Sequence, residues 1–223
     1  MQLTPASIQR VMQLPAGEAR LAGELALPAG ATGVVLLANG GSSHCSRDRH
    51  LARSLQRCGL GTLLLGLLTS EEDAAGAHAV QRRCDVALLA ERLVHATQGL
   101  SDDSALRGLR LGYCAAGTAS AAALVAAARL YHGVSSVVAR DGRPDLAGPQ
   151  LPCVTAATLF VVGGAERDLV ELNEDAYDRL ACTKRLVVVP GATRLLEEPE
   201  ARDELAALAA DWFQRYLETA LRA

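Results

Sequence analysis

Six aliphatic runs constrain this chain more than any other feature: Gly33–Ala38, Gly61–Leu68, Leu109–Cys114, Val134–Ala139, Thr158–Val162 and Arg185–Val189. Each is short and scarcely interrupted by polar residues. A strand built from such a run needs apolar cover on both faces, which a parallel sheet between two layers of helices provides. The intervening segments supply that cover. Apolar residues recur at helical spacing over Arg47–Arg57, Asp85–Gln98, Leu169–Leu180 and Pro199–Leu221, while Thr118–Arg129 is an alanine-rich helix able to pack close to a sheet. Ahead of them, Ile8–Leu14 and Arg20–Leu27 flank the turn tetrad Pro15-Ala16-Gly17-Glu18 and read as an antiparallel hairpin. The expected fold is a doubly wound α/β sheet, mostly parallel, with an N-terminal antiparallel hairpin and helices on both faces. The polar stretch Ser70–Arg83 reads as a surface loop or short helix. No repeat, linker or composition break appears, so residues 1–223 are expected to form one domain.

Composition narrows the function classes. The 223 residues are 50% hydrophobic and 21% charged, enough to bury a core and too apolar for a disordered tail. The net charge is −3, and arginines alternate with acids rather than clustering, so neither nucleic acid nor an anionic membrane is an expected partner. No apolar run approaches the roughly 20 residues that cross a bilayer. The N-terminal MQLTPASIQR lacks the pattern of a secretory signal. Cys45, Cys58, Cys84, Cys114, Cys153 and Cys182 form no CxxC pair and have no clustered histidines beside them. The expectation is a reduced, cytoplasmic protein without metal or cofactor; an oligomer is open but not indicated.

Chemistry in such a sheet collects on the loops that follow its strands. The first of these, Ala38-Asn39-Gly40-Gly41-Ser42-Ser43-His44, carries glycines that admit a ligand and successive amides that can hold an anion or oxyanion. The second, Gly112-Tyr113-Cys114-Ala115-Ala116-Gly117-Thr118-Ala119-Ser120, has the small residues of a tight strand-to-helix turn but no serine at its apex. Two more follow the last strands: Val162-Gly163-Gly164-Ala165-Glu166-Arg167-Asp168 and Val189–Pro199. Arg140, Asp141, Arg143 and Asp145 form a charged loop that either binds an anion or pairs with itself.

From Glu18 to Leu217 the chain resembles the dienelactone-hydrolase-like branch of the α/β-hydrolase superfamily. The resemblance rests on GTLLLGLLTSEE, LLAERLVHAT, LGYCAAGTASAAALVAAA, DGRPDLAG, VVGGAERDLVELNEDA, KRLVVVPGATRLLEEP and LAADWFQRYL. It implies an α/β-hydrolase-like fold and a Ser (or Cys), Asp and His triad acting on esters or lactones. Laid over this sequence, the branch's G-Y-F-G-A-S-T-G string puts its serine on Gly117 and its framing glycines on Ala115 and Ala119. The histidine of G-A-T-H-L-F-E-E-P falls on Arg194, and the acid on Glu166. The His-Gly-Ser-Gly-Ser oxyanion loop becomes Asn39-Gly40-Gly41-Ser42-Ser43, with the amide of Thr118 as the second half of that site.

Glycine has no group to attack a carbonyl, and arginine stays protonated and cannot act as a general base. Losing nucleophile or base alone costs such a triad about six orders of magnitude in turnover. The resemblance therefore points to a member of the family with its triad dismantled, acting as a binding or structural protein. Two other readings stand beside it. Gly112-Tyr113-Cys114 also resembles the G-Y-C-x-G-G turn of dienelactone hydrolases proper, which makes Cys114 a candidate nucleophile for an active ester or lactone hydrolase. Alternatively, Asn39–Ser43, the amide after Gly117 and Arg194 form a module for a small carboxylate, ester or phosphate, with Arg194 holding the anion or pairing with Glu166.

Overall fold

The aliphatic runs become the interior strands of one sheet in a computed structural model of the chain, which describes residues 7–193, 196 and 198–218. The strands are β1 (Ile8–Ala16), β2 (Ala19–Leu27), β3 (Gly33–Asn39), β4 (Gly61–Gly66), β5 (Arg110–Gly117), β6 (Ser136–Gly142), β7 (Ala157–Gly163) and β8 (Lys184–Val189). They are ordered β1-β2-β4-β3-β5-β6-β7-β8 in an eight-stranded sheet. The β1–β2 hairpin is antiparallel and joins antiparallel to β4; every pairing from β4 through β3 to β8 is parallel. The α/β-hydrolase-like arrangement expected from the sequence is the arrangement observed.

Helices α1 (Ser46–Arg57), α2 (Ser70–Asp73), α3 (Ala77–Arg83), α4 (Val86–Gly99), α5 (Thr118–Leu130), α6 (Arg167–Arg179) and α7 (Pro199–Leu217) complete the chain order. The stretch Ser70–Arg83 thus forms two short helices, the first started by Thr69, whose hydroxyl accepts from the Glu72 amide at 3.2 Å. The run Gly61–Leu68 leaves the sheet at Gly66, and the final helix stops at Leu217, with residues 219–223 outside the described set. No described helix is long and apolar enough to cross a membrane.

Each face of the sheet has its own apolar core. Tyr113, Phe160, Leu36 and Leu63 point to the face covered by α4, α5 and α6. Val35, Leu37, Cys114, Val138 and Val161 point to the face covered by α1 and α7. On the first face, alanine is what lets α5 lie close to the strands: Ala121, Ala122, Ala123, Ala126 and Ala127 are fully buried. The buried Tyr113 hydroxyl is matched by the Thr97 hydroxyl at 2.6 Å. On the second face, Trp212 donates its indole N–H to the Ala157 carbonyl at 3.2 Å.

Gly112 on β5 is required by the same closeness. A β-carbon there would stand 2.8 Å from Cε1 of Phe213 and 3.2 Å from Cδ1 of Leu217, both on α7. Gly112→Ala is expected to displace the Phe213 ring and lower unfolding free energy by about 1–3 kcal/mol, measured by urea denaturation. An unchanged denaturation midpoint would show that α7 is not seated so tightly.

Candidate active-site edge

The carboxyl ends of β3, β5, β6, β7 and β8 gather the loops singled out in the sequence, and hydrogen bonds tie neighbouring loops together. Gly117 ends β5 and precedes the first turn of α5. Its backbone sits at φ 56° and ψ −135°, a conformation cheap only for glycine. Among the described residues, its chain neighbours aside, no heavy atom lies within 4 Å of the position its β-carbon would take, so the apex of this turn opens outward. The Gly117 carbonyl accepts from the Ser120 hydroxyl at 2.7 Å and from the Arg143 amide at 3.1 Å, which fixes the turn against the loop after β6. Thr118 is half-buried and begins α5.

Cys114 lies three residues earlier, inside β5, and faces away from that opening. It is 2% exposed and belongs to the apolar cluster under α1 and α7. Burial pushes its thiol up to about 11, although Arg140 nearby pulls in the other direction. At neutral pH only on the order of one thiol in 10⁴ would be ionised. The expectation of Cys114 as an accessible nucleophile therefore lacks both of its physical requirements here, solvent access and thiolate character.

The loop after β3 also differs from its sequence reading. Its glycines and serines were expected to offer amides to an external anion. Instead, the Gly41 amide donates to Oδ1 of Asn39 at 2.9 Å, and the Ser42 amide donates to Oδ2 of Asp73 at 3.0 Å. The Ser42 hydroxyl donates to the same Asp73 oxygen at 2.8 Å. Burial would raise the Asp73 pKa, but the Ser42 bonds and Arg83, whose Nε lies 2.8 Å away, hold it below the usual range. One of the amides assigned to an anion thus serves a carboxylate of the chain itself, and a second serves the Asn39 carboxamide. Ser42 also reaches an open groove of about 870 Å³ between the hairpin turn and α4, floored by Glu72 and Arg92. Those two form a bidentate pair at 2.6 Å, which holds Glu72 at about 2.

The acid position and the base position follow β7 and β8. Glu166 is exposed at the N-terminal boundary of α6 and makes no capping bond with its side chain. The two loops are joined by the Gly164 amide to the Val189 carbonyl (2.9 Å) and the Ala165 amide to the Ala192 carbonyl (3.0 Å). Arg194 lies outside the described residues.

The charged loop after β6 separates into three fates. Arg143 pairs with Asp145 through Nε at 2.8 Å and Nη2 at 2.7 Å, the self-pairing expected of that loop. Asp141, at φ 42° and 2% exposed, accepts the Gly163 amide at 2.9 Å and links the ends of β6 and β7. Arg140 turns inward and pairs with Asp48 of α1. Sequence reading missed that pair, since the partners are 92 residues apart and neither forms a motif. The signal was an arginine ending the aliphatic run Val137-Val138-Ala139, where only a paired charge can be buried.

Asp48 is the hub of a buried polar cluster. It is 3% exposed and receives Arg140, Nδ1 of His44 at 3.3 Å, Nδ2 of Asn39 at 3.4 Å and the Cys45 amide at 3.3 Å. Burial by itself would raise its pKa; the His44 bond and the Arg140 charge outweigh that and hold it far below the carboxylate range.

No family model matches the chain. The solved dienelactone hydrolase of Anabaena variabilis is 45% identical, superposes with a TM-score of 0.91, and is matched over 95% of this chain and 99% of its own. A dienelactone hydrolase-like promiscuous phosphotriesterase from metagenomic libraries shares the fold, with a TM-score of 0.76 at 17% identity over 95% of this chain and 99% of its own. Curated relatives in two strains of Mycobacterium tuberculosis carry a provisional phosphoribosyl-transferase name. They are 42% identical over 208 residues, 92% of this chain and 46% of theirs. The chain therefore spans about half the length of the curated relatives it matches, and their name describes the longer proteins.

Asp48→Ala strands a buried guanidinium and is expected to cost about 3–5 kcal/mol at neutral pH. Because the folded pKa of Asp48 is depressed, its contribution is full above the unfolded value near 3.9 and declines as pH falls through and below it. The stability gap between the parent and Asp48→Ala should then narrow below about pH 4, read from denaturation midpoints across pH. A gap that stays constant with pH would disprove the role of this ion pair.

Proposed function

The chain belongs to the dienelactone-hydrolase-like α/β-hydrolases, and from that premise we propose that it has given up acyl transfer by the triad route and binds a small carboxylate, ester or phosphate instead. The observation that carries this is Gly117: the turn keeps its positive-φ backbone and outward opening, yet its apex bears no attacking group. In the family's reaction a hydroxyl attacks the carbonyl carbon while histidine takes its proton, and the same histidine then protonates the leaving alcohol. At Gly117 no oxygen is present to attack. At Arg194 the side chain is a fixed cation that neither accepts nor returns a proton. Glu166 can orient a histidine, but no histidine follows His132 in the chain.

Removal of the serine leaves volume beside the Thr118 amide, and arginine in place of histidine in the sequence exchanges a titrating group for a permanent positive charge. Both changes favour an anion held without reaction over a neutral ester held for attack. The reading is independent of the transferase name of the longer relatives. Cys114 offers no second route that the geometry favours, because the thiol is buried on the opposite face of β5.

Turnover of a small activated ester tests this directly. The parent chain and Cys114→Ala are expected to give the same rate, at the uncatalysed background. Gly117→Ser alone should remain near that background, since it restores a hydroxyl without a base, and should cost about 1–3 kcal/mol of backbone strain. Gly117→Ser combined with Arg194→His should exceed both single variants. Phosphate or a short carboxylate should raise the melting temperature of the parent, as any ligand of the folded state does. Parent turnover that disappears in Cys114→Ala would overturn the reading in favour of a cysteine hydrolase.

A further inference from the structure

Among the described residues the sheet ends at β8, which pairs with β7 alone and leaves its outer backbone edge without a strand. An uncovered edge is a template for another chain, and proteins usually blunt it with charge, proline or a bulge. The opposite edge, β1, presents Gln9, Gln13 and Pro15 with Arg10 tied to Asp103, and leaves Val11 70% exposed. β8 begins with Lys184 and Arg185 and runs on through Leu186, Val187, Val188 and Val189, with Val188 38% exposed.

Alternation along β8 divides its side chains between the two faces. Leu186 packs toward the core under α6, and Val187 and Val189 toward the core under α7. Lys184, on the α6 face, is bound to the carbonyls of Tyr177 at 2.7 Å and Leu180 at 2.9 Å. Arg185, on the α7 face, is exposed and forms no ion pair among the described residues. At the other end of the strand, Val189 and Pro190 share a shallow depression with Glu200 and Glu204 of α7. Both glutamates are exposed and likewise without an ion pair among the described residues. One end of the edge is therefore basic and the other acidic.

We propose that this edge is an interface with a second copy of the chain, in which β8 pairs antiparallel with the partner's β8 to continue the sheet across a twofold axis. Antiparallel pairing about an axis perpendicular to the sheet keeps α7 of both copies on one side. A register centred on Val187 sets Arg185 opposite the partner's Val189 and Leu186 opposite the partner's Val188. Arg185 then meets the partner's Glu200 and Glu204, twice by symmetry, and the exposed Val188 is covered. The interface is self-complementary and closed, whereas β8 on β1 would be head-to-tail and open-ended. It does not depend on what happens at Gly117.

Sedimentation velocity on the full chain should show a dimer. Val188→Glu and Arg185→Glu should each weaken it about tenfold or more, with unchanged circular dichroism and, at concentrations low enough for every variant to be monomeric, an unchanged denaturation midpoint because both positions are exposed. Glu200→Arg with Glu204→Arg should weaken it similarly, and adding Arg185→Glu to that pair should restore it. A monomer throughout, a dimer indifferent to Val188→Glu, or charge variants that do not rescue one another would each overturn the proposal.

Discussion

The pairing of Asp48 with Arg140 under the carboxyl edge of the sheet constrains everything built above it. Two opposite charges are buried there, and neither can be removed without leaving the other buried and without its counter-charge. Such a pair adds little net stability compared with hydrophobic residues of the same shape; what it fixes is geometry. Asn39, His44 and Cys45 all direct polar groups at Asp48, so the loop after β3 is wrapped around a carboxylate carried by α1. Arg140 joins that assembly to β6. The same commitment explains Cys114. A neighbouring cation would ordinarily favour its thiolate, but the charge of Arg140 is already neutralised by Asp48, and burial prevails.

Backbone strain at this edge is distributed in an informative way. Turns that push a side chain out at positive φ cost about 1–3 kcal/mol for a residue other than glycine. At Gly117 the chain keeps the shape without that cost, because glycine has no β-carbon to crowd. Among the described residues, Asp141 and Leu196 are the non-glycine residues at positive φ on this edge; the Asp141 carboxylate accepts the Gly163 amide and so secures β6 to β7. At Asp141 the strained backbone serves a side chain that stitches two strands together.

Much of the fold was legible because burial on both faces leaves a mark in the sequence. A strand such as Val34–Ala38 can contain no polar residue without wasting a hydrogen-bonding group, so its run is unbroken. The alanine-rich Thr118–Arg129 announced close packing for the same reason. Side-chain pairing across the fold leaves no such mark. Glu72 meets Arg92 at a separation of 20 residues, and Asp73 meets Ser42 at 31; neither spacing has a period or a motif. Gly40-Gly41-Ser42 was read as an anion loop because its composition suits one. Composition could not reveal that the anion comes from α2.

The anion supplied by α2 bears on the proposed loss of acyl transfer. An oxyanion site works through amides aimed at an empty position, each worth about 10²–10³ in rate. Here the Ser42 amide and hydroxyl both close on Asp73, which Arg83 in turn neutralises, and the Gly41 amide closes on Asn39. A loop whose donors are satisfied internally is stable without a ligand, whereas a catalytic loop must hold donors in reserve for charge that appears only in the transition state. The apex at Gly117 and these self-satisfied amides therefore support the proposed loss of acyl transfer independently, one by lacking an attacking atom and the other by committing donors to the chain itself.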